Sequence, residues 1–179
     1  KLLKQAGYLD VGMDHFALPD DELFIAKQNN KLHRNFMGYT TVQSKILIGL
    51  GASSISDVWS AYAQNSKVPE EYIEAVNKGM LPIFKGHILT HEDLILRQHI
   101  LNIMCRYETN WIKPNKQCQA LFDGINRLKE MKKEGLIDLM YYKLKVTEEG
   151  KPFIRNICMA LDAKLHQTKS DKKIFSSAV

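Results

Sequence analysis

Residues 1–23 read KLLKQAGYLDVGMDHFALPDDEL, and the first expectation about the fold starts here. Residues 1–8 read as the end of a helix closed by Gly7, a residue common just past helix C-termini. Residues 8–13 follow as a short strand that ends in the polar pair Asp14 and His15. A helix handed straight to a strand is the repeat of an α/β barrel or a doubly wound sheet. In a parallel barrel the chemistry gathers at the C-terminal ends of the strands. Asp14 is therefore a candidate for orienting a basic group, and His15 for exchanging a proton near neutral pH. The competing reading is two polar residues that merely close a strand.

Working outward, Pro19-Asp20-Asp21-Glu22 opens a helix that runs to about Asn29, with acidic residues where the helix dipole favours them. Residues 33–41 are extended and aromatic. Within them Arg34 can grip a carboxylate with two nitrogens, and Phe36 and Tyr39 can stack on a flat ring. An anionic planar ligand would use such a set. A strand of β-prone aromatics with incidental polar neighbours is the plainer alternative. Ile46-Leu47-Ile48 reads as a short buried strand, and Gly49-Leu50-Gly51-Ala52-Ser53-Ser54-Ile55-Ser56 as a small-residue loop behind it. That loop lacks the third glycine of a dinucleotide fingerprint. Small residues still admit close backbone approach to a ligand, with Ile55 able to pack on an adenine face. A strand over residues 62–65 and a helix from Pro69 to Lys78 complete this half.

The texture changes at Thr90. Thr90-His91-Glu92-Asp93 is a capping box with Asp at its third helical position. A long amphipathic helix follows, then a second over residues 117–133 closed by Gly135, a hairpin over 136–146, and a last helix to about Leu165. This order resembles a winged-helix unit. The expected organisation is residues 1–90 as the last part of a barrel, 91–166 as a winged-helix-like domain, and 167–179 as a tail. The expected fold class is thus α/β followed by a mainly helical domain.

The chain carries 25 Lys and Arg against 20 Asp and Glu, a net charge of +5. Much of the excess lies in residues 164–173. A basic winged helix can bind nucleic acid, but Glu130 and Glu134 interleave with Lys129, Lys132 and Lys133, and no cluster of base-reading side chains stands out. The three cysteines, Cys105, Cys118 and Cys158, have neither CxxC nor CxxxC spacing. That argues against a disulfide framework or a metal site built from this segment, and fits reduced thiols in a cytoplasmic protein. No apolar run approaches the ~20 residues of a membrane helix. The chain opens at Lys1, inside a helix and without a methionine, and so reads as a piece of a longer protein.

The blocks GMDHFALPDDEL, HRNFMGYTT and GLGASSIS, followed by YAQN, GHIL and RNICM, occur in an order and spacing that resembles the oxygen-independent coproporphyrinogen III oxidases. The resemblance covers nearly the whole chain. It implies a radical S-adenosylmethionine (SAM) enzyme of haem biosynthesis, cytoplasmic and monomeric. A [4Fe-4S] cluster on CxxxCxxC, fed by a reductant, cleaves SAM, and the resulting 5′-deoxyadenosyl radical takes hydrogen from a propionate of coproporphyrinogen III. Loss of carbon dioxide and one electron leaves a vinyl group, and two such steps give protoporphyrinogen IX. GYTT with RNICM favours the oxidase over the alternative, a haem-binding chaperone on the same scaffold.

The cysteine motif is absent from these residues, so by resemblance this piece lacks the cluster and is inactive alone. Ile55 matches a position that contacts SAM. Met37 falls where the family usually has Gln, near a second SAM. Methionine cannot supply an amide's donors and acceptor, which puts that second site in question. Asp14, His15, Arg34 and Tyr39 match the family pattern and are the substrate-binding candidates.

Overall fold

The computed structural model describes residues 2–167. The tail expected over 167–179 lies, apart from Gln167, outside the described residues. The elements run α1 (Leu2–Gln5), β1 (Leu9–Gly12), β2 (His15–Ala17), α2 (Glu22–Gln28), β3 (His33–Asn35), β4 (Gly38–Thr40), β5 (Ile55–Asp57), β6 (Ala61–Asn65), α3 (Pro69–Asn77) and β7 (Ile83–Ile88). They continue α4 (His91–Arg106), β8 (Glu108–Asn110), α5 (Gln119–Arg127), α6 (Lys129–Lys133), β9 (Ile137–Met140), β10 (Lys143–Val146), α7 (Ile154–Leu161) and α8 (Ala163–Gln167).

The strands form four small sheets, β1–β2, β3–β4, β5–β6–β7 and β8–β10–β9, and every pairing among the described residues is antiparallel. The parallel barrel strand expected over 8–13 is thus corrected. β1 pairs with β2 across a tight turn at Met13 and Asp14, and Asp14 takes a left-handed φ of 58° that reverses the chain. Aspartate tolerates that conformation better than most residues. The buried strand expected at 46–48 is also corrected: Ile46 and Ile48 are exposed, and only Leu47 pairs, in an isolated bridge to Asp57.

Helix starts follow local chemistry. Asp21 caps α2 by accepting from the Leu23 N–H at 2.8 Å. Thr90 and Asp93 form the full reciprocal capping box on α4. The single helix expected over 117–133 is two, because Leu128, wholly buried, turns the chain between α5 and α6. The last helix is likewise split, by a 3-10 turn at Pro152 before α7 and by extended Asp162 after it.

One continuous apolar core joins Val11, Ala17, Leu32 and Tyr39 to Ile103, Met104, Trp111, Leu121, Leu144, Ile157 and Leu161. It spans residue 90 without a break. Residues 41–90 stand apart from it. Their buried side chains are Asp57, Asn65 and Ser66, all polar, while Ile46, Ile48, Leu50, Leu81, Phe84 and Ile88 are exposed.

Candidate functional site

The hairpin β3–β4 is the centre of the site. Arg34 and Tyr39 face each other across it, and cross-strand partners share a face. The Arg34 guanidinium lies over the Tyr39 ring, 4.7 Å from its centroid. Tyr39 is buried, and its hydroxyl donates to the Met104 carbonyl on α4 at 2.8 Å. Burial pushes its pKa up to about 12, against the opposing pull of the Arg34 cation. Gly12 makes room for this ring: a Cβ there would sit 2.4 Å from the Tyr39 oxygen. The edge of His15 meets the same ring at 5.0 Å, and His15 Nδ1 donates to the Met13 carbonyl at 2.7 Å.

The structure therefore gathers three of the expected residues, His15, Arg34 and Tyr39, around one aromatic ring. The others lie elsewhere. Asp14 is exposed at the β1–β2 turn. Met37 is 86% exposed at the hairpin tip, where its N–H donates to Asn35 Oδ1 at 2.9 Å. Phe36, its neighbour in the turn, packs edge-on against Tyr62 of β6 at 5.0 Å.

Ile55 begins β5. The Asn65 N–H donates to Ser54 and the Val58 N–H to Ala61, so the alternation of an antiparallel ladder turns the Ile55 N–H and C=O away from β6. Asp57, two residues on, uses that same outward edge to bond Leu47. The adjoining loop is satisfied by its own chain. Asn65 Nδ2 donates to the carbonyls of Gly49 and Gly51, the Gly49 N–H donates to Ser56 Oγ, and the Gly51 N–H to the Tyr72 hydroxyl.

The most developed polar contact was not legible in the sequence. Arg97 of α4 grips Asp57 of β5 with both terminal nitrogens, at 3.0 and 2.6 Å, and also donates to the Trp59 carbonyl at 2.8 Å. Its guanidinium lies 4.3 Å from the centre of the Trp59 ring. Nearby, Asp93 takes the Lys164 ammonium at 3.4 Å and His87 at 3.5 Å. These groups border a cleft of about 510 Å³ between β3–β4, the β5–β6–β7 sheet and α4. The signal that could have found them is Arg97 itself, a cation four residues past Asp93 and so on the same face of α4.

The cysteines do not fit an iron–sulfur cluster. Cys105 and Cys158 are buried, with burial pushing their thiols up to about 11 and about 12, whereas a cluster needs thiolates. Cys118 is half-buried. Among the described residues no three or more His, Cys, Asp or Glu side chains are placed to hold a metal ion. No helix among them is long and apolar enough to cross a membrane.

No family model matches the chain. Individual proteins do. The chain is 38% identical over 182 residues to the oxygen-independent coproporphyrinogen III oxidase of Escherichia coli strain K12, covering 99% of this chain and 40% of that protein. It is 38% identical over 186 residues to the protein of the same name from Synechocystis, with 99% and 40% coverage. For that of Thermostichus vulcanus the identity is 39% over 183 residues, covering 99% of this chain and 56% of the relative. The solved structure of the Escherichia coli coproporphyrinogen III oxidase, described as a radical SAM enzyme, superposes with a TM-score of 0.83 at 38% identity, over 92% of this chain and 39% of that one. The resemblance drawn from the sequence is borne out, and the chain spans about two fifths of the Escherichia coli relative's length.

Proposed function

We propose that this chain is the C-terminal part of an oxygen-independent coproporphyrinogen III oxidase, and that its parent converts two propionates of coproporphyrinogen III to the vinyl groups of protoporphyrinogen IX. The observation that carries the proposal is similarity along 99% of the chain to relatives of that name, with a matching fold. The parent would work with SAM, a [4Fe-4S] cluster and a reductant, as a cytoplasmic monomer. The cysteines described above do not fit the cluster, so its ligands belong to the remainder of the parent.

We read residues 1–90 as the last wall of the barrel. The unburied apolar side chains between 41 and 90 support this, because a wall with no core of its own needs another surface to pack on. Residues 91–166 are the winged-helix-like unit. The order α4, β8, α5, α6, β9, β10 supports that reading, as does a sheet in which β10 lies between β8 and β9.

Bound SAM supplies the hydrogen-abstracting radical. The chain's own share is to hold and orient. Ile55 offers its side chain to an adenine face and its outward N–H and C=O to the base edge. Met37, exposed at the hairpin tip, presents a thioether where an amide would donate and accept. Arg34, steadied on Tyr39, is the cation for a substrate carboxylate. His15, fixed through its Nδ1, keeps Nε2 for proton exchange. Asp14, at the turn beside it, is the remaining substrate-binding candidate.

The test is anaerobic turnover by the full-length parent with SAM and a reductant. Formation of protoporphyrinogen IX is expected. Tight haem transfer without decarboxylation would overturn the proposal in favour of a chaperone. In the same reading, the 179-residue chain alone takes up no stoichiometric [4Fe-4S] chromophore on reconstitution with iron and sulfide.

A further inference from the structure

Arg97 reaches from α4 to three successive parts of one strand pair. Its two terminal nitrogens hold the Asp57 carboxylate of β5, and one of them also donates to the Trp59 carbonyl in the β5–β6 turn. Its guanidinium lies on the Trp59 ring and 5.1 Å from the centre of the Tyr62 ring on β6. The turn is strained: Trp59 takes a left-handed φ of 64°, uncommon for a bulky side chain. Such a conformation persists where its surroundings over-determine it. Here the fixing groups are Asp57, whose Oδ1 accepts from the Trp59 N–H at 2.8 Å, and Arg97, which grips both residues.

Two segments depend on this one side chain. Ile55 stands two residues before Asp57 on β5, so their side chains share a face and their backbone groups an edge. A shift of Asp57 is carried to Ile55 over only about 7 Å of extended chain. On β6, Tyr62 meets Phe36 edge-on at 5.0 Å, and Phe36 precedes Met37 at the β3–β4 tip. One ion pair would suffice to fasten the sheet. A grip on both strands and the turn between them fixes its orientation as well.

We infer that Arg97 is a positioning residue for SAM: acting through Asp57 and Tyr62, it sets where β5 presents Ile55 and where the β3–β4 tip presents Met37. The ligand in this statement rests on the proposed function. Residues 91–166, which supply α4, then take part in binding SAM by holding in place the contacts that residues 1–90 make.

The test uses the full-length parent with its cluster and S-adenosylhomocysteine, which lacks the sulfonium that is cleaved. Its dissociation constant is read by anaerobic titration calorimetry, at a temperature where every variant compared is folded. Arg97→Met should weaken binding about tenfold. Leu144→Ala, a deletion in the core under the β8–β10–β9 sheet, destabilises the chain by a different route and should leave the constant unchanged. Arg97→Lys keeps the charge but not the planar fork. It should weaken binding by less than Arg97→Met, and it decides the point if Arg97→Met fails to fold. Unchanged affinity in the folded Arg97 variants overturns the inference. So does equal weakening by Leu144→Ala, which would make the effect one of general stability. A wild-type parent that binds the analogue yet forms no vinyl product sinks the proposed function and leaves the positioning role standing. A wild-type parent that does not bind it overturns both.

Discussion

The Tyr39 hydroxyl donates to the Met104 carbonyl across 65 positions of sequence, joining the β3–β4 hairpin to α4 with one buried hydrogen bond. The same ring carries Arg34 on its face and the edge of His15. Tyr39 thus positions the candidate anion ligand as well as tying two parts of the chain. Tyr39→Phe keeps the ring and both stacking contacts. It should cost about 1 kcal/mol, the net worth of one such bond, measured by denaturant unfolding. A loss well above that would mean the hydroxyl supports more than the Met104 carbonyl.

Gly12 is required by that ring and not by its own backbone, whose φ is not left-handed. Gly12→Ala places a methyl 2.4 Å from the Tyr39 oxygen. The expected loss is about 1–3 kcal/mol from overpacking. In a double-mutant cycle Tyr39→Leu should recover most of it, because contacting residues couple. Additive losses would show that the strain arises elsewhere.

The Arg97–Asp57 pair is nearly enclosed, with side chains only 12% and 11% exposed. Breaking such a pair leaves a buried charge uncompensated. Asp57→Asn and Arg97→Met should each destabilise by about 3 kcal/mol, and the double variant should lose less than their sum. Thermal unfolding of the four proteins decides the point.

His99 is buried between the Thr109 hydroxyl, at 2.7 Å from Nδ1, and the Lys116 carbonyl, at 2.8 Å from Nε2. Nε2 donates to the carbonyl, a bond that by itself favours the protonated ring. Burial outweighs that bond and holds its pKa below the usual 6.5. The unfolded chain therefore takes up a proton first as pH falls through 6.5, and stability declines from that point downward. His33, also lowered by burial, adds to the slope. Melting temperature should fall between pH 7 and pH 5.5, and His99→Gln should flatten that fall. An unchanged slope in the variant would show that His99 does not carry it.

What the sequence made legible was mostly local. The caps at Asp21 and Thr90 were readable because one side chain and one backbone donor suffice. Arg34 and Tyr39 were readable as neighbouring site candidates, and the hairpin pairs them with each other rather than with anything outside the chain. The β1–β2 hairpin was not readable, because Met13-Asp14 is a weak turn signal and only the left-handed φ of Asp14 reveals it. The strands β7 and β8 were also missed. β7 is exposed along its whole length and so shows no alternation, and β8 is the polar triplet Glu108-Thr109-Asn110. Asp57 and Arg97 lie forty residues apart, and no local pattern links them. The family-like blocks carried the function further than composition or periodicity could.

The absence of any buried apolar side chain between residues 41 and 90 also bears on the order in which the chain opens. The sheet β5–β6–β7 is fastened to the rest through side-chain contacts at its edge, the Arg97–Asp57 pair, the His87–Asp93 contact and the Phe36–Tyr62 ring pair, while β8–β10–β9 closes over Leu144, Val146 and Ile137. Amide protons in the first sheet should therefore exchange with solvent deuterium far sooner than those in the second, as a separate cooperative unit of low opening energy. In the parent, that slack would be taken up by whatever covers Ile46, Ile48 and Phe84, so the exchange rate of this sheet is a direct gauge of assembly.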